Sequence, residues 1–139
     1  MVKYELLDHT ADIGIIISAK DLRTLFVNAA LAMFEVIVER KDSKKALKTQ
    51  PVKLNLQADN LKELFVRWLG ELLSISDSKG LIFTKITIEE FTETQIKAVA
   101  LGAKTSEFRG LREVKAVTHH ELKIEKEKDR YSAEVIFDV

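Results

Sequence analysis

Apolar and polar positions change period several times along this chain, and each change marks an element. Residues 4–7 and 13–18 alternate as a strand pair, or one bent strand, interrupted by the polar segment 8–12. Gly14 sits inside the run Ile13-Gly14-Ile15-Ile16-Ile17, where a bulge or a close backbone approach is the usual reason. The period then becomes helical. Ser18-Ala19-Lys20-Asp21 has capping-box spacing with Asp in place of Glu, and Leu22, Leu25, Phe26, Ala29, Ala30, Met33, Phe34 and Ile37 form one stripe. Residues 39–45 are polar and read as a loop. Val52, Leu54 and Leu56 alternate with polar residues, predicting a half-exposed strand after Pro51. Asp59 can cap a second helix whose stripe is Leu61, Leu64, Phe65, Trp68, Leu69 and Leu72. That helix is expected to end near Ser76, because Asp77-Ser78-Lys79-Gly80 is turn chemistry.

Beyond Gly80 the pattern is β. Residues 81–91 and 95–101 predict a hairpin, followed by a polar loop over 104–113. Residues 114–125 and 131–139 predict a second hairpin, closed at Lys126-Glu127-Lys128-Asp129. Plain alternation there puts Val114, Ala116, Thr118, His120, Leu122 and Ile124 on one face, and Lys115, Val117, His119, Glu121 and Lys123 on the other. The order β-β-α-β-α-β-β-β-β lacks regular βα alternation, so the fold class is α+β. The expectation is one domain over 1–139, with two helices side by side on a largely antiparallel sheet that is open to bifurcation.

Composition narrows the function classes. With 139 residues the chain can bury roughly 70% of its unfolded surface. Lys+Arg and Asp+Glu balance at 22 each, which argues against a protein whose main work is gripping phosphate backbones. No cysteine is present, so disulfides, thiolate zinc sites, iron–sulfur clusters and thiol catalysis all drop out. The start lacks a signal-peptide core and no apolar run can span a bilayer, so a cytoplasmic location is expected. Abundant Lys, Glu and Ile with few Asn and Gln resembles a thermophile's usage.

Chemistry concentrates at the two ends. In an extended segment Asp8, Thr10 and Asp12 point one way and His9 the other. The last residues, Phe137-Asp138-Val139, continue an apolar strand pattern where most chains fray. If the first and last strands pair, the side chains of Asp12 and Asp138 meet the terminal carboxylate of Val139. Three carboxylates without imidazole favour Ca²⁺ or Mg²⁺ over zinc. The competing reading is an Asx-turn, with Asp and Thr satisfying loose amides between strands.

Elsewhere the signals are bland. His119 and His120 are adjacent strand residues that face opposite ways and cannot easily share an ion. His120 reads as a core histidine and His119 as exposed. Lys104, Arg109, Arg112 and Lys115 form a basic group that suits phosphate, an acidic partner or plain solvation. Trp68 belongs to the helix stripe and reads as core. There is no phosphate-cradling glycine loop, aromatic stacking platform or nucleophile elbow.

Three segments together resemble the archease family. They are His9-Thr10-Ala11-Asp12-Ile13-Gly14; Trp68-Leu69-Gly70-Glu71-Leu72-Leu73 through Lys79-Gly80-Leu81-Ile82-Phe83; and Val114-Lys115-Ala116-Val117-Thr118-His119-His120-Glu121-Leu122 with the closing Val135-Ile136-Phe137-Asp138-Val139. One departure is Ser74-Ile75-Ser76, where relatives are often more aromatic. The resemblance implies a small α+β fold and an accessory protein, not an enzyme: an activator of RtcB-type tRNA-splicing ligases. It would promote guanylylation of the ligase and multiple turnover, broaden nucleotide use beyond GTP, and meet RNA only indirectly. It also implies a divalent cation, often calcium, with Mg²⁺ or Mn²⁺ as alternatives, at Asp12 and Asp138 with Val139 adjoining. No catalytic residue is expected. Asp8, His9, Arg109, Arg112, Lys115 and His119 are candidate partner contacts. Two other readings stay open: a stand-alone metal-dependent phosphoesterase, and a chaperone-like binding module.

Overall fold

The computed structural model describes residues 3–8, 12–41 and 47–139, with backbone alone for Asp8, residues 39–41 and His120. In chain order the elements are β1 (Glu5–Asp8), β2 (Asp12–Ala19), α1 (Leu22–Ile37), β3 (Val38–Lys41), β4 (Thr49–Gln57), α2 (Leu61–Lys79), β5 (Leu81–Phe91), β6 (Gln95–Lys104), a 3₁₀ turn (Thr105–Glu107), β7 (Phe108–Leu111), β8 (Ala116–Glu127) and β9 (Arg130–Asp138). Every strand pairing described is antiparallel. The strands divide into a four-stranded sheet β1-β2-β9-β8, a three-stranded sheet β4-β6-β5 and the ribbon β3-β7. This is the α+β class with a split sheet that the sequence predicts.

The isoleucines of β2 explain the larger sheet. Ile13, Ile15 and Ile17 are buried against Ala133, Val135 and Phe137 of β9, the alternation a strand with one covered face requires. Helix α1 covers that face and also packs on β5 of the smaller sheet. Contact on two sides is why Ala32 and Val36, outside the predicted stripe, are buried as well. Aromatic edges lock the layers: Phe26 meets Phe65 at 5.1 Å and Phe91 at 4.9 Å between ring centroids. Trp68 is fully buried as expected, and its Nε1–H donates to the Phe26 carbonyl oxygen at 2.9 Å, tying α2 to α1.

Several expected boundaries move, each for a physical reason. The cap of α1 is Asp21, whose carboxylate accepts from the Thr24 N–H at 2.7 Å; β2 runs on to Ala19, so Ser18 caps nothing. Asn60, not Asp59, caps α2 by accepting from the Glu63 N–H. Helix α2 continues past Ser76 to Lys79 because the buried Ser76 hydroxyl donates to the Leu81 carbonyl, and the stop is Gly80, left-handed at φ 64°. The segments expected as loops, 39–45 and 104–113, supply β3 and β7, which pair with each other; residues 42–46 lie outside the described residues. Strand β4 starts at Thr49 and includes Pro51, tolerated because β4 is an edge strand. In the second hairpin β8 begins at Ala116, and three extra residues bulge between Thr118 and Lys123 where β9 has only Val135 to oppose them. The bulge, with Glu121 at φ 54°, flips the parity, so the single face expected for Val114 through Ile124 does not persist.

Candidate functional site

Strands β2 and β9 are the two central strands of the larger sheet, and their register runs from Asp12 opposite Asp138 to Ala19 opposite Tyr131. Asp12 opens one strand and Asp138 closes the other. Directly opposed residues project from the same face with Cβ atoms about 5 Å apart. The chain's two ends therefore bring Asp12 and Asp138 together as cross-strand neighbours. Asp12 is half-buried and Asp138 exposed; Val139, half-buried, follows directly. On the other flank Ala116 stands opposite Asp138, and the Lys115 N–H donates to the Asp138 carbonyl oxygen at 2.7 Å. Among the described residues, no cluster of three or more Asp, Glu or His side chains is arranged for a metal.

The other predicted residues scatter around this row. The main chain of Asp8 stands opposite Ile13, and the extended segment expected from Asp8 through Thr10 to Asp12 runs through residues outside the described ones. His9, with Thr10 and Ala11, lies outside the described residues, as does the Asx-turn expected there. Lys115 adjoins the carboxylate row through its main chain and keeps its side chain exposed. Arg109 lies in β7 opposite Arg40, and the Arg112 N–H donates to the Ile37 carbonyl oxygen, closing the chain against the end of α1. His119 is exposed, as expected. It sits on the β8 bulge with Nε2 3.4 Å from Glu63 Oε1 in the first turn of α2, away from the Asp12–Asp138 row.

Two features were not visible in the sequence. Burial pushes the Tyr4 hydroxyl above its ordinary range and Glu35 adds to this, while the Arg112 guanidinium opposes it, so these three groups share one neighbourhood. Tyr4 looks like any strand aromatic; only the folded chain, which sets it near Glu35 and Arg112, reveals its charged neighbours. An open cavity of about 350 Å³ also lies between Ile37, Leu73 and Ser76 of the helices and the segment carrying Leu111, Arg112 and Val114. Val114 in its wall is followed by Lys115, whose N–H meets the Asp138 carbonyl oxygen.

The chain and its fold have known counterparts. Residues 4–139 match the model of the Archease protein family (MTH1598/TM1083). Over 145 aligned positions the chain is 38% identical to protein archease of Methanosarcina acetivorans, covering 99% of this chain and 96% of that one. Protein archease of Pyrococcus abyssi is 36% identical over the full length of both. The solution structure of Methanobacterium thermoautotrophicum protein 1598 superposes with a TM-score of 0.72 at 33% identity, covering 98% of each chain. A crystal structure from Thermotoga maritima, described as an archease and possible chaperone, gives 0.63 at 23% identity over 96% and 94% of the two chains, a likeness of fold. Among the described residues no helix is long and apolar enough to cross a membrane.

Proposed function

The chain belongs to the archease family, and from that membership we propose that it is an accessory protein of an RtcB-type tRNA-splicing ligase. It raises guanylylation of the ligase, restores turnover and widens the ligase's use of nucleotides beyond GTP, without a reaction of its own. The observation that carries this reading is the Asp12–Asp138 row at the end of the larger sheet. Two carboxylates held as neighbours repel each other unless a proton or cation intervenes. An all-oxygen donor set fits a hard divalent ion, with calcium favoured over magnesium or manganese, and Asp12, Asp138 and Val139 would hold it. Bound there, the ion supplies positive charge to nucleotide phosphates.

The chain's own contribution is rigidity. Both carboxylates stand on strands flanked on each side by another strand, and the Lys115 N–H fixes the main chain at Asp138. A row held this firmly selects the ligase conformer competent for nucleotidyl transfer, which is activation by population shift. The test is multiple-turnover ligation by the cognate ligase at fixed GTP and metal. Addition of this protein should convert a single round into many. Equal product with and without it contradicts the proposal, and phosphoester hydrolysis by the protein alone with Mg²⁺ or Mn²⁺ favours the stand-alone phosphoesterase instead.

A further inference from the structure

Helices α1 and α2 both end at the open cavity of about 350 Å³. Ile37, the last residue of α1, lines it, as do Leu73, Ser76 and Asp77 from the final turns of α2. Its floor is apolar: Ile37, Ile82 and Val114 are at most 9% exposed, while Leu111 stands at the mouth at 44%. Neither Asp12, Asp138 nor Val139 lines it, so the cavity is distinct from the carboxylate row. Most donors around it are already engaged. The Gly80 N–H donates to the Ser76 carbonyl oxygen, the Thr105 N–H to that of Gly80, and the Arg112 N–H to that of Ile37. The Ser76 hydroxyl donates to the Leu81 carbonyl, and the Arg112 guanidinium shares its neighbourhood with Glu35 and the Tyr4 hydroxyl. Negative charge is left over. Asp77 and Glu113 line the cavity and are exposed, and among the described residues neither has an ion-pair partner. The negative ends of two helix dipoles add to them, and the last turn of α1 has no basic residue to offset its own. Lys79 offsets that of α2 without lining the cavity.

We propose that this cavity holds the side chain of an arginine or lysine presented by a protein partner. The aliphatic stem lies on Ile37, Ile82 and Val114, and the cationic head turns outward to Asp77 and Glu113. Long basic side chains bury their stems and keep their heads wet in this way. Leu111 at the mouth receives an aliphatic neighbour of the anchor on the partner's chain. The volume lies at the small end of ligand pockets, room for one such side chain and part of its main chain. Charge decides among occupants. A phosphate or carboxylate would meet two carboxylates and two helix C-termini, with the nearest amides already used. An uncharged aliphatic side chain would leave Asp77 and Glu113 without a role, and a bare divalent ion would leave the apolar floor without one. The cationic side chain alone uses both. This site lies beyond the ligase role and stands whether or not that role does.

The test titrates the capped tripeptide acetyl-Leu-Arg-Leu-amide into the isotope-labelled protein and follows the backbone signals by NMR. Signals of Leu73, Gly80, Thr105 and Val114 should move and saturate. Asp77→Asn and Glu113→Gln should each weaken binding about two- to fivefold, the range for exposed charge pairs. Citrulline in place of the peptide's arginine loses both pairs and should weaken it about tenfold. Leu111→Lys sets a rival cation at the mouth from an exposed position and should abolish binding. Glu125→Gln, exposed near the far end of β8, is the control and should bind as the wild type does. Absence of saturating shifts at the cavity overturns the proposal. So does equal binding of the citrulline peptide, or equal weakening by Glu125→Gln. Acetyl-arginine-amide binding as tightly as the tripeptide overturns the protein partner in favour of a free cation. Calcium that displaces the tripeptide from the same signals overturns it in favour of a metal.

Discussion

Replacing Asp138 by Asn removes one charge from the row while keeping the side chain's shape. Unit charges about 5–6 Å apart at an effective dielectric of roughly 40–80 repel by about 0.7–1.7 kcal/mol. Asp138 is exposed and Asp12 half-buried, so solvent screening places the relief near the lower end, about 1 kcal/mol. For a chain of this length that raises the melting temperature by about 3–5 °C. The assay is thermal unfolding in chelator and in calcium. In chelator Asp138→Asn should melt above the wild type. With calcium at about 100 times its Kd the wild type should gain about 2.7 kcal/mol, and the variant should gain far less. The order of the two proteins therefore reverses with the metal. If Asp138→Asn melts below the wild type in chelator, the two carboxylates do not destabilise each other in the folded chain. If the variant keeps the full calcium response, the row is not the cation site. Either result refutes the reasoning.

Other substitutions test the framework that holds the row. Asp21→Ala removes the α1 cap and should cost about 1 kcal/mol at neutral pH in urea unfolding. Hydrogen bonds from the Thr24 side chain and backbone hold the Asp21 carboxyl below its usual range. A lowered folded value gives stability that is present at neutral pH and lost as pH falls through it, so the difference between wild type and Asp21→Ala should shrink in acid. Tyr4 has the opposite sign: burial and Glu35 raise its hydroxyl above 10.0, so its contribution is lost as pH rises through the folded value. As pH rises above about 10 the wild type should lose stability more steeply than Tyr4→Phe. Trp68→Phe deletes the Nε1–H bond to the Phe26 carbonyl and opens a void between the helices, and should cost about 2–3 kcal/mol by chemical denaturation.

What was legible in the sequence and what was not follow from the strength of each local pattern. The isoleucine alternation of β2 and the apolar run of β9 mark both strands, so Asp12 and Asp138 could be expected to meet if the two strands paired; residue types alone did not decide that pairing. The burial of Trp68 and both helical stripes were equally plain. The β3–β7 ribbon was not, because Val38-Glu39-Arg40-Lys41 is short and polar and gains order only from the strand across it. The β8 bulge was hidden for a different reason. Alternation through Thr118-His119-His120-Glu121-Leu122 fits either face, and only the partner strand shows that three residues are extra. Neighbouring candidates such as Asp59 and Asn60 offer the same capping chemistry, so local sequence could not choose between them.

The central claim is that the carboxylate row activates a ligase, and single-turnover guanylylation of the cognate ligase tests it most directly. Wild-type protein should accelerate the step, while Asp12→Ala and Asp138→Ala, each verified as folded, should leave the ligase at its unassisted rate. Acceleration by both variants equal to that of the wild type would contradict it.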